Sequence, residues 1–434
     1  MAGEKGNGEK WSSQTLFIMA AIGSAVGLGN IWRFPYTAGM HGGGAFVVLY
    51  ILAVLLIGFP GLLFELAAGR GLGAGLLESY RKIAGRLWWL GILPILMIWI
   101  ILSYYTVVVG WTLFYFTASL FGVFVPFSEA AIMWWLPAFG LLSLLIVEFI
   151  SRADITKGLE RVNALLLPVF MLCLLALFAF SASLPGFPGA VSYLTTFNIG
   201  DLLAPAVILA AIAQAVFSLS VGEGIMFTYG SYLRKGGGLL RSSAIIAVSD
   251  TAIALLSAAM IFSIVFTFSL APGAGPSLAF QSLPLAVGSL PFGNVLLAVF
   301  FLLLFSVAVT SAISMSELLV SNIKPHVGGS RQKASMAQLG LTLLLFVPAA
   351  LSYSPVGLDF LGMPFLDFLD ERVAGEFLPA VAAIFLGSLA WMWKDAREAL
   401  RSVAPAILAD AVYLIAKYIL PALILALFLL GAGE

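Results

Sequence analysis

The sequence predicts an all-α polytopic membrane protein of about eleven transmembrane helices, and three observations lead there. The chain is 62% hydrophobic and 10% charged, with a mean hydropathy of +1.08. A soluble domain could not hide that much apolar surface. The apolar residues fall into eleven windows of about 20 residues, bounded by charges or by Gly/Pro loops. The basic residues gather at alternate ends of those windows.

In order, the windows are 12–37, 42–68, 88–121, 130–150, 156–182, 204–233, 241–270, 291–323, 334–351, 372–393 and 404–430. With a cytoplasmic N-terminus, the inner segments hold all 21 basic residues except Arg33, Arg372 and Lys417. The outer loops 122–129, 183–203 and 271–290 hold none. A miscounted helix would put later basic clusters outside, so the distribution supports both count and orientation. The expectation is a multi-pass protein of the cell membrane, embedded in the lipid bilayer. Residues 1–11 form a cytoplasmic tail without a cleavable signal pattern, and the C-terminal GAGE lies outside. Residues 69–86 should lie along the inner interface. The apolar loop 271–290 should fold back as an outer cap.

Composition also excludes. Acidic and basic residues balance at 21 each, which points away from nucleic acid. The single cysteine, Cys173, cannot form an internal disulfide. HGGGAF follows no strand, so it is no nucleotide loop. No nucleophilic triad or metal cluster is present in the pattern, so neither an enzyme nor an organic cofactor is expected. Oligomeric state leaves no signature.

Two windows are interrupted by glycine near their middle: GSAVGLGN in the first and SLSVGEG (218–224) in the sixth. The sixth also begins a second group of five, so the breaks occupy matching positions. That pattern predicts a 5+5 inverted repeat, 12–182 and 204–393, with 404–430 as an added helix and the binding site at the repeat interface. Unwinding a helix in a membrane frees backbone groups that cost several kcal/mol each unless satisfied. Freed carbonyls suit a hard cation such as sodium, and helix N-termini suit a carboxylate. Close helix packing through glycine is the plainer alternative.

Ionisable residues at membrane depth need partners or roles. Glu65, Glu223, Asp250 and Glu317 fall within windows. Glu65 either braces packing or serves the site, and Glu317 reads as structural. Asp410 and Lys417, seven apart on one face, read as a structural pair. Thr310 and Ser311 either bond back to their own helix or line a site. His41 and His326 sit near window ends and carry no expected role.

GSAVGLGNIWRFPY followed by HGGGAFVVLY closely resembles the signature of the neurotransmitter:sodium symporter family. The likeness continues through FELAAGR, SYYTVVVGW, QAVFSLSVGEGIMFTYGSYL, VSDTAIALL, LAFQSLP, VTSAIS and FLDFLD, in order over nearly the whole chain. Paired helix breaks are described on members of this family, so the two readings rest on one pattern. The short-looped form resembles the prokaryotic branch, which implies the leucine-transporter fold and sodium-coupled import of an amino acid. Two sodium sites are implied. The first takes the Ala25 carbonyl, Asn30, Ser218, Asp250 and the substrate carboxylate. The second takes the carbonyls of Gly23, Val26 and Val307 and the hydroxyls of Thr310 and Ser311. The substrate carboxylate would meet the Leu28 and Gly29 amides and the Tyr105 hydroxyl. Its amino group would meet the carbonyls of Ala25, Phe217 and Ser218. Tyr105 and Phe217 would form a lid, with Arg33 and Asp370 as an outer gate. Ile101, Phe217, Ser220, Glu223, Ala312 and Met315 would line the side-chain pocket.

Two departures stand out. Relatives close the cytoplasmic side with an arginine three residues before the tail tryptophan and an acid at the inner end of helix 8. Here the first place is Gly8, and NIKPHVGG offers no acid. Lys10, Trp11 and Tyr232 remain to close the path. Glu223 stands where relatives carry an apolar residue facing the substrate. It either selects a cationic or polar substrate or merely shapes the pocket for a neutral one. Tyr50, Gln214 and Ser218 match the chloride neighbourhood of chloride-dependent relatives, but Asp250 already supplies a negative charge, so chloride independence is expected. Monoamine carriers place an aspartate where this chain has Gly27, which favours an amino acid over an amine. A channel is the more distant alternative.

Overall fold

A computed structural model describes residues 9–431 except 124, 132, 235, 271–282, 289 and 291. Gly8, the GAGE terminus beyond Gly431 and most of the expected outer cap lie outside the described residues; next to the last of these stands the short helix Leu283–Gly288. Among the described residues, eight helices are long and apolar enough to cross a membrane, and a ninth span is the bent pair Gln14–Ala25 and Gly29–Met40, angled by 52°. Two shorter apolar helices, Trp135–Ser151 and Pro205–Ser218, fill the places of the fourth and sixth windows. Each predicted window therefore has its helix. Edges moved by several residues: the tenth span is Phe365–Met392 and takes in the FLDFLD stretch left out of the window. Before it sits a two-residue hairpin, Asp359–Phe360 against Met363–Pro364.

Four spans contain a π-helical turn: Gly29–Arg33, Val54–Gly58, Phe368–Gly375 and Ile415–Ile419. Each precedes a proline, namely Pro35, Pro60, Pro379 or Pro421. A proline has no N–H, and its ring crowds the carbonyl four residues back. Those carbonyls belong to Ile31, Leu56, Gly375 and Lys417, all inside the π turns. Widening the helix there relieves the crowding.

Glycines let the second and sixth spans touch backbone to backbone. A Cβ on Gly69 would collide with the Phe227 carbonyl and lie 3.0 Å from the Ser231 amide. The eighth span, Gly293–Val327, packs along both the third, Gly85–Leu120, and the fifth, Leu159–Ala182. It is the most deeply enclosed of the long helices, with 78% of its apolar stretch buried. The two broken helices and this central helix enclose the site.

The Asp410–Lys417 pair is a correction. Asp410 instead accepts from Arg397 at 2.8 and 2.7 Å and from Arg401 at 3.0 and 2.7 Å. Two guanidinium forks match a carboxylate better than one ammonium does. Lys417 turns to the Tyr413 hydroxyl, 3.0 Å away, and lies over the Trp391 ring at 4.3 Å.

A candidate ion and substrate site between two broken helices

The first span stops being an α-helix after Ala25 and resumes beyond Leu28. Asn30 closes this gap: its Oδ1 accepts from the Gly27 amide at 3.0 Å. The sixth span ends at Ser218 and resumes at Ile225. Between them Ser220, Gly222 and Gly224 have φ of 50°, 86° and 81°, the left-handed conformation that glycine adopts without penalty. The amides freed here go to Glu65, whose carboxylate accepts from Gly222 at 2.9 Å, Gly224 at 3.0 Å and Phe227 at 3.2 Å. Glu65 thus holds the break of the sixth span from the second. Glu65→Ala would strip three buried amides of their acceptor, each costing about 1–3 kcal/mol. The expected outcome is a protein that unfolds well below the wild-type temperature in a thermal melt; an unchanged melt would contradict the role.

A buried polar cluster joins the two breaks. The Asn30 Nδ2 donates to Asp250 Oδ1 at 2.7 Å and to Ser218 Oγ at 3.0 Å. Ser218 Oγ donates to Asp250 Oδ2 at 2.6 Å, and Tyr50 Oη reaches the same oxygen at 3.3 Å. Asp250 and Tyr50 are fully buried. Gln214, one turn before Ser218, is buried with no partner for either amide atom. Asn30, Ser218 and Asp250, three of the residues expected at the first sodium site, therefore meet. The Ala25 carbonyl, their expected companion, lies at the edge of the gap.

A second constellation lies where the first span meets the eighth. Ser311 Oγ donates to the carbonyls of Val26 at 3.3 Å and Ser24 at 3.4 Å. Thr310 bonds back to Val307 at 2.9 Å, and its Cβ faces Gly23. Gly23, Val26, Val307, Thr310 and Ser311 thus border one place, and all their donors are oxygens, the ligand type a hard cation takes.

Above the break, the Tyr105 hydroxyl faces the Leu28 amide and Ser311. Phe217 packs on Gly29 so closely that a Cβ there would lie 2.6 Å from its ring. A Cβ on Gly27 would stand 3.3 Å from Ser311 Oγ and 3.8 Å from the Tyr105 hydroxyl, so glycine keeps that space open. Glu223 is buried beside Ser220 and lies within electrostatic range of Glu65, Arg33 and Tyr105. Ile101 and Ala312 are buried on the third and eighth spans, and Met315 is half-buried. Arg33 stacks over Phe217 at 4.3 Å, while Asp370 lies beside Tyr104. The two expected gate residues feel each other's charge but form no ion pair within 4 Å.

The opposite end of the bundle, where the N-terminal tail lies, carries a set of contacts of which sequence reasoning named Lys10, Trp11 and Tyr232 but not Glu9, Lys324 or Arg331. Glu9 pairs with Lys324 at 2.7 Å and Arg331 at 2.6 Å. Arg331 also pairs with Glu317, which accepts from Tyr232 at 2.7 Å. Lys10 donates to the Ser231 carbonyl and the Trp11 indole to the Tyr229 carbonyl, both at 2.9 Å. Ser12 holds Glu160 through its amide at 2.7 Å and its hydroxyl at 2.6 Å. Glu317, read as structural, belongs to this cluster.

Two interrupted helices around a buried oxygen-rich centre are the architecture of a membrane carrier. The sodium:neurotransmitter symporter family model matches residues 8–138 and 131–432, and the chain belongs to that family. It is a sodium-coupled symporter of the leucine-transporter fold. It is 34% identical over 388 residues to the uncharacterized sodium-dependent transporter YhdH of Bacillus subtilis (strain 168), covering 86% of both chains. It is 25% identical over 446 residues to the human sodium- and chloride-dependent GABA transporter 2, covering 88% of this chain and 73% of that one. The crystal structure of MhsT in complex with L-phenylalanine matches with a TM-score of 0.87 at 33% identity, over 98% of this chain and 99% of that one.

Proposed function

We propose that this protein imports a neutral amino acid together with sodium across the cell membrane, by alternating access and without chloride. The observation that carries this reading is the Asn30–Ser218–Asp250 cluster, which ties both helix breaks to one buried carboxylate. Two sodium ions are cotransported. One binds at that cluster with the Ala25 carbonyl and the substrate carboxylate, the other among Gly23, Val26, Val307, Thr310 and Ser311. The substrate carboxylate takes the Leu28 and Gly29 amides and the Tyr105 hydroxyl, and its ammonium the carbonyls of Ala25, Phe217 and Ser218. The two halves, 12–182 and 204–393, move as inverted repeats about this centre. The N-terminus is cytoplasmic and the C-terminus outside. The L-phenylalanine in the MhsT structure and the open space at Gly27 support an amino acid rather than an amine. A sodium-dependent binding screen over the common amino acids tests the reading. A hit that needs sodium is expected; serotonin or dopamine displacing it at micromolar concentration would overturn the substrate class.

The outer path is closed by Phe217 and Tyr105, with Arg33 and Asp370 above. The inner path is closed by the tail cluster in place of the ion pair usual in relatives. Its polarity is reversed: the tail supplies the acid, Glu9, and the helix ends supply the cations, Lys324 and Arg331.

Chloride independence follows from charge. A chloride beside the Asp250 carboxylate would be repelled by a few kcal/mol at an effective dielectric near 20. Replacing chloride with gluconate should leave uptake unchanged, and a large drop would sink the idea.

Glu223 is buried, with the Glu65 charge, Ser220 and Arg33 within electrostatic range. The remaining pocket residues, Ile101, Phe217, Ala312 and Met315, are apolar. In a binding panel, aliphatic and other apolar amino acids should rank first, and Glu223→Gln should leave the ranking unchanged. Lysine or arginine ranking first, with that preference lost on substitution, would show that Glu223 selects a cation.

A further inference from the structure

Asn163 lies on the fifth span and is fully buried. Its Nδ2 donates to the Leu159 carbonyl one turn back, at 2.9 Å. Its Oδ1 has no partner. Flipping the amide would set Oδ1 against the Leu159 carbonyl and leave the NH2 without an acceptor, so the bonding fixes the orientation. A buried amide oxygen left unpaired calls for a physical reason, an ion among them.

The direction of that oxygen supplies one. It points at the first span, where a Cβ on Gly23 would collide with it; the same Cβ would lie 3.4 Å from Thr310 Cβ. Asn163, Gly23 and Thr310 therefore converge on one place, between the fifth, first and eighth spans. Gly23 is also the only residue type that leaves room for the amide there, since any side chain would displace it. Gly23 and Thr310 both belong to the second sodium site assigned above.

We propose that Asn163 Oδ1 is an additional oxygen ligand of the second sodium ion. It meets the ion on the side of the tail, because Gly23 is one turn nearer the tail than Val26. An amide oxygen is a neutral, hard donor, which suits a monovalent cation already surrounded by carbonyls and hydroxyls. This inference rests on the two-site reading and adds a ligand to it. The plainer alternative is that Oδ1 only receives a weak Cα–H contact from Gly23, and that role would not move sodium affinity.

The test is sodium binding to the purified full-length protein without substrate, read as 22Na binding and as sodium-induced thermal stabilisation. Asn163→Leu, which keeps the branched shape but removes the amide oxygen, should raise the half-saturating sodium concentration about tenfold, the size of one contact worth 1.4 kcal/mol. Asn163→Asp, which keeps the shape and adds charge to the same oxygen, should lower it severalfold, and this variant decides the matter if the leucine form does not fold. Thr310→Val serves as the reference for the site itself. If Thr310→Val weakens sodium binding while both Asn163 variants match the wild type, the ligand role is overturned and the two-site reading stands. If Thr310→Val is also without effect, the second site itself is misassigned and the inference falls with it.

Discussion

Asp250→Asn is expected to abolish sodium-dependent uptake. The Asp250 carboxylate is fully buried and accepts from Asn30, Ser218 and Tyr50. Asparagine has the same shape and can keep part of this bonding, so the fold should survive. What is lost is a full negative charge beside the first sodium. At contact distance and an effective dielectric near 20, that attraction is several kcal/mol, roughly a hundredfold or more in sodium affinity. Substrate binding should fall with it, because the substrate carboxylate shares the ion. The check is sodium-dependent substrate binding on protein whose thermal melt in sodium-free buffer matches the wild type. Unchanged sodium dependence would remove Asp250 from the site.

Glu9→Lys should open the tail side of the protein. The four charges of the cluster, Glu9, Glu317, Lys324 and Arg331, balance. Reversing Glu9 leaves three cations against Glu317 alone. Removing one partner of a fully buried pair costs about 3–5 kcal/mol; the Glu9 pairs are part-buried, so the loss is smaller, but the new lysine adds repulsion. The tail should detach from the eighth and ninth spans and uncover Ser231, which is 5% exposed beneath it. In a background with Cys173→Ser and Ser231→Cys, a membrane-impermeant thiol reagent applied from the tail side should label at least about tenfold faster, as a shift of more than 1.4 kcal/mol requires. Adding Lys324→Glu should restore slow labelling. Equal rates in all three forms would show that the cluster is not a closure.

Much of the fold could be read from the chain because few physical signals decide it. Charge placement fixed the number of spans, and glycine runs marked both breaks, since nothing else lets a helix unwind at depth. Asp250 was legible as an acid in apolar surroundings and Asn30 and Ser218 through the family resemblance, and the structure joins the three through direct hydrogen bonds. The π turns were missed, although a proline four residues on would have signalled each. Lys10, Trp11 and Tyr232 were named for the tail side, but the ion pairs there were not legible: Glu9 and Arg331 are 322 positions apart, and each looks like an ordinary flanking charge. Only the fold brings them together. Asp410 misled for a related reason. Helical spacing put Lys417 on its face, but two arginines of the preceding short helix, Ala396–Arg401, offered better geometry, and an aromatic ring claimed the lysine. Glu65 was undecided from sequence because its partners are backbone amides, which a sequence does not single out. Asn163 drew no notice, since an asparagine near the end of a span usually caps or faces water.

The measurement that bears most directly on sodium-coupled import uses purified protein in sealed proteoliposomes with a radiolabelled amino acid from the binding screen. With an inward sodium gradient, label should accumulate inside above its external concentration, and it should fail to accumulate when potassium replaces sodium or when the gradient is collapsed with an ionophore. Downhill entry that ignores sodium and never exceeds the external concentration would contradict coupled transport and point to a channel.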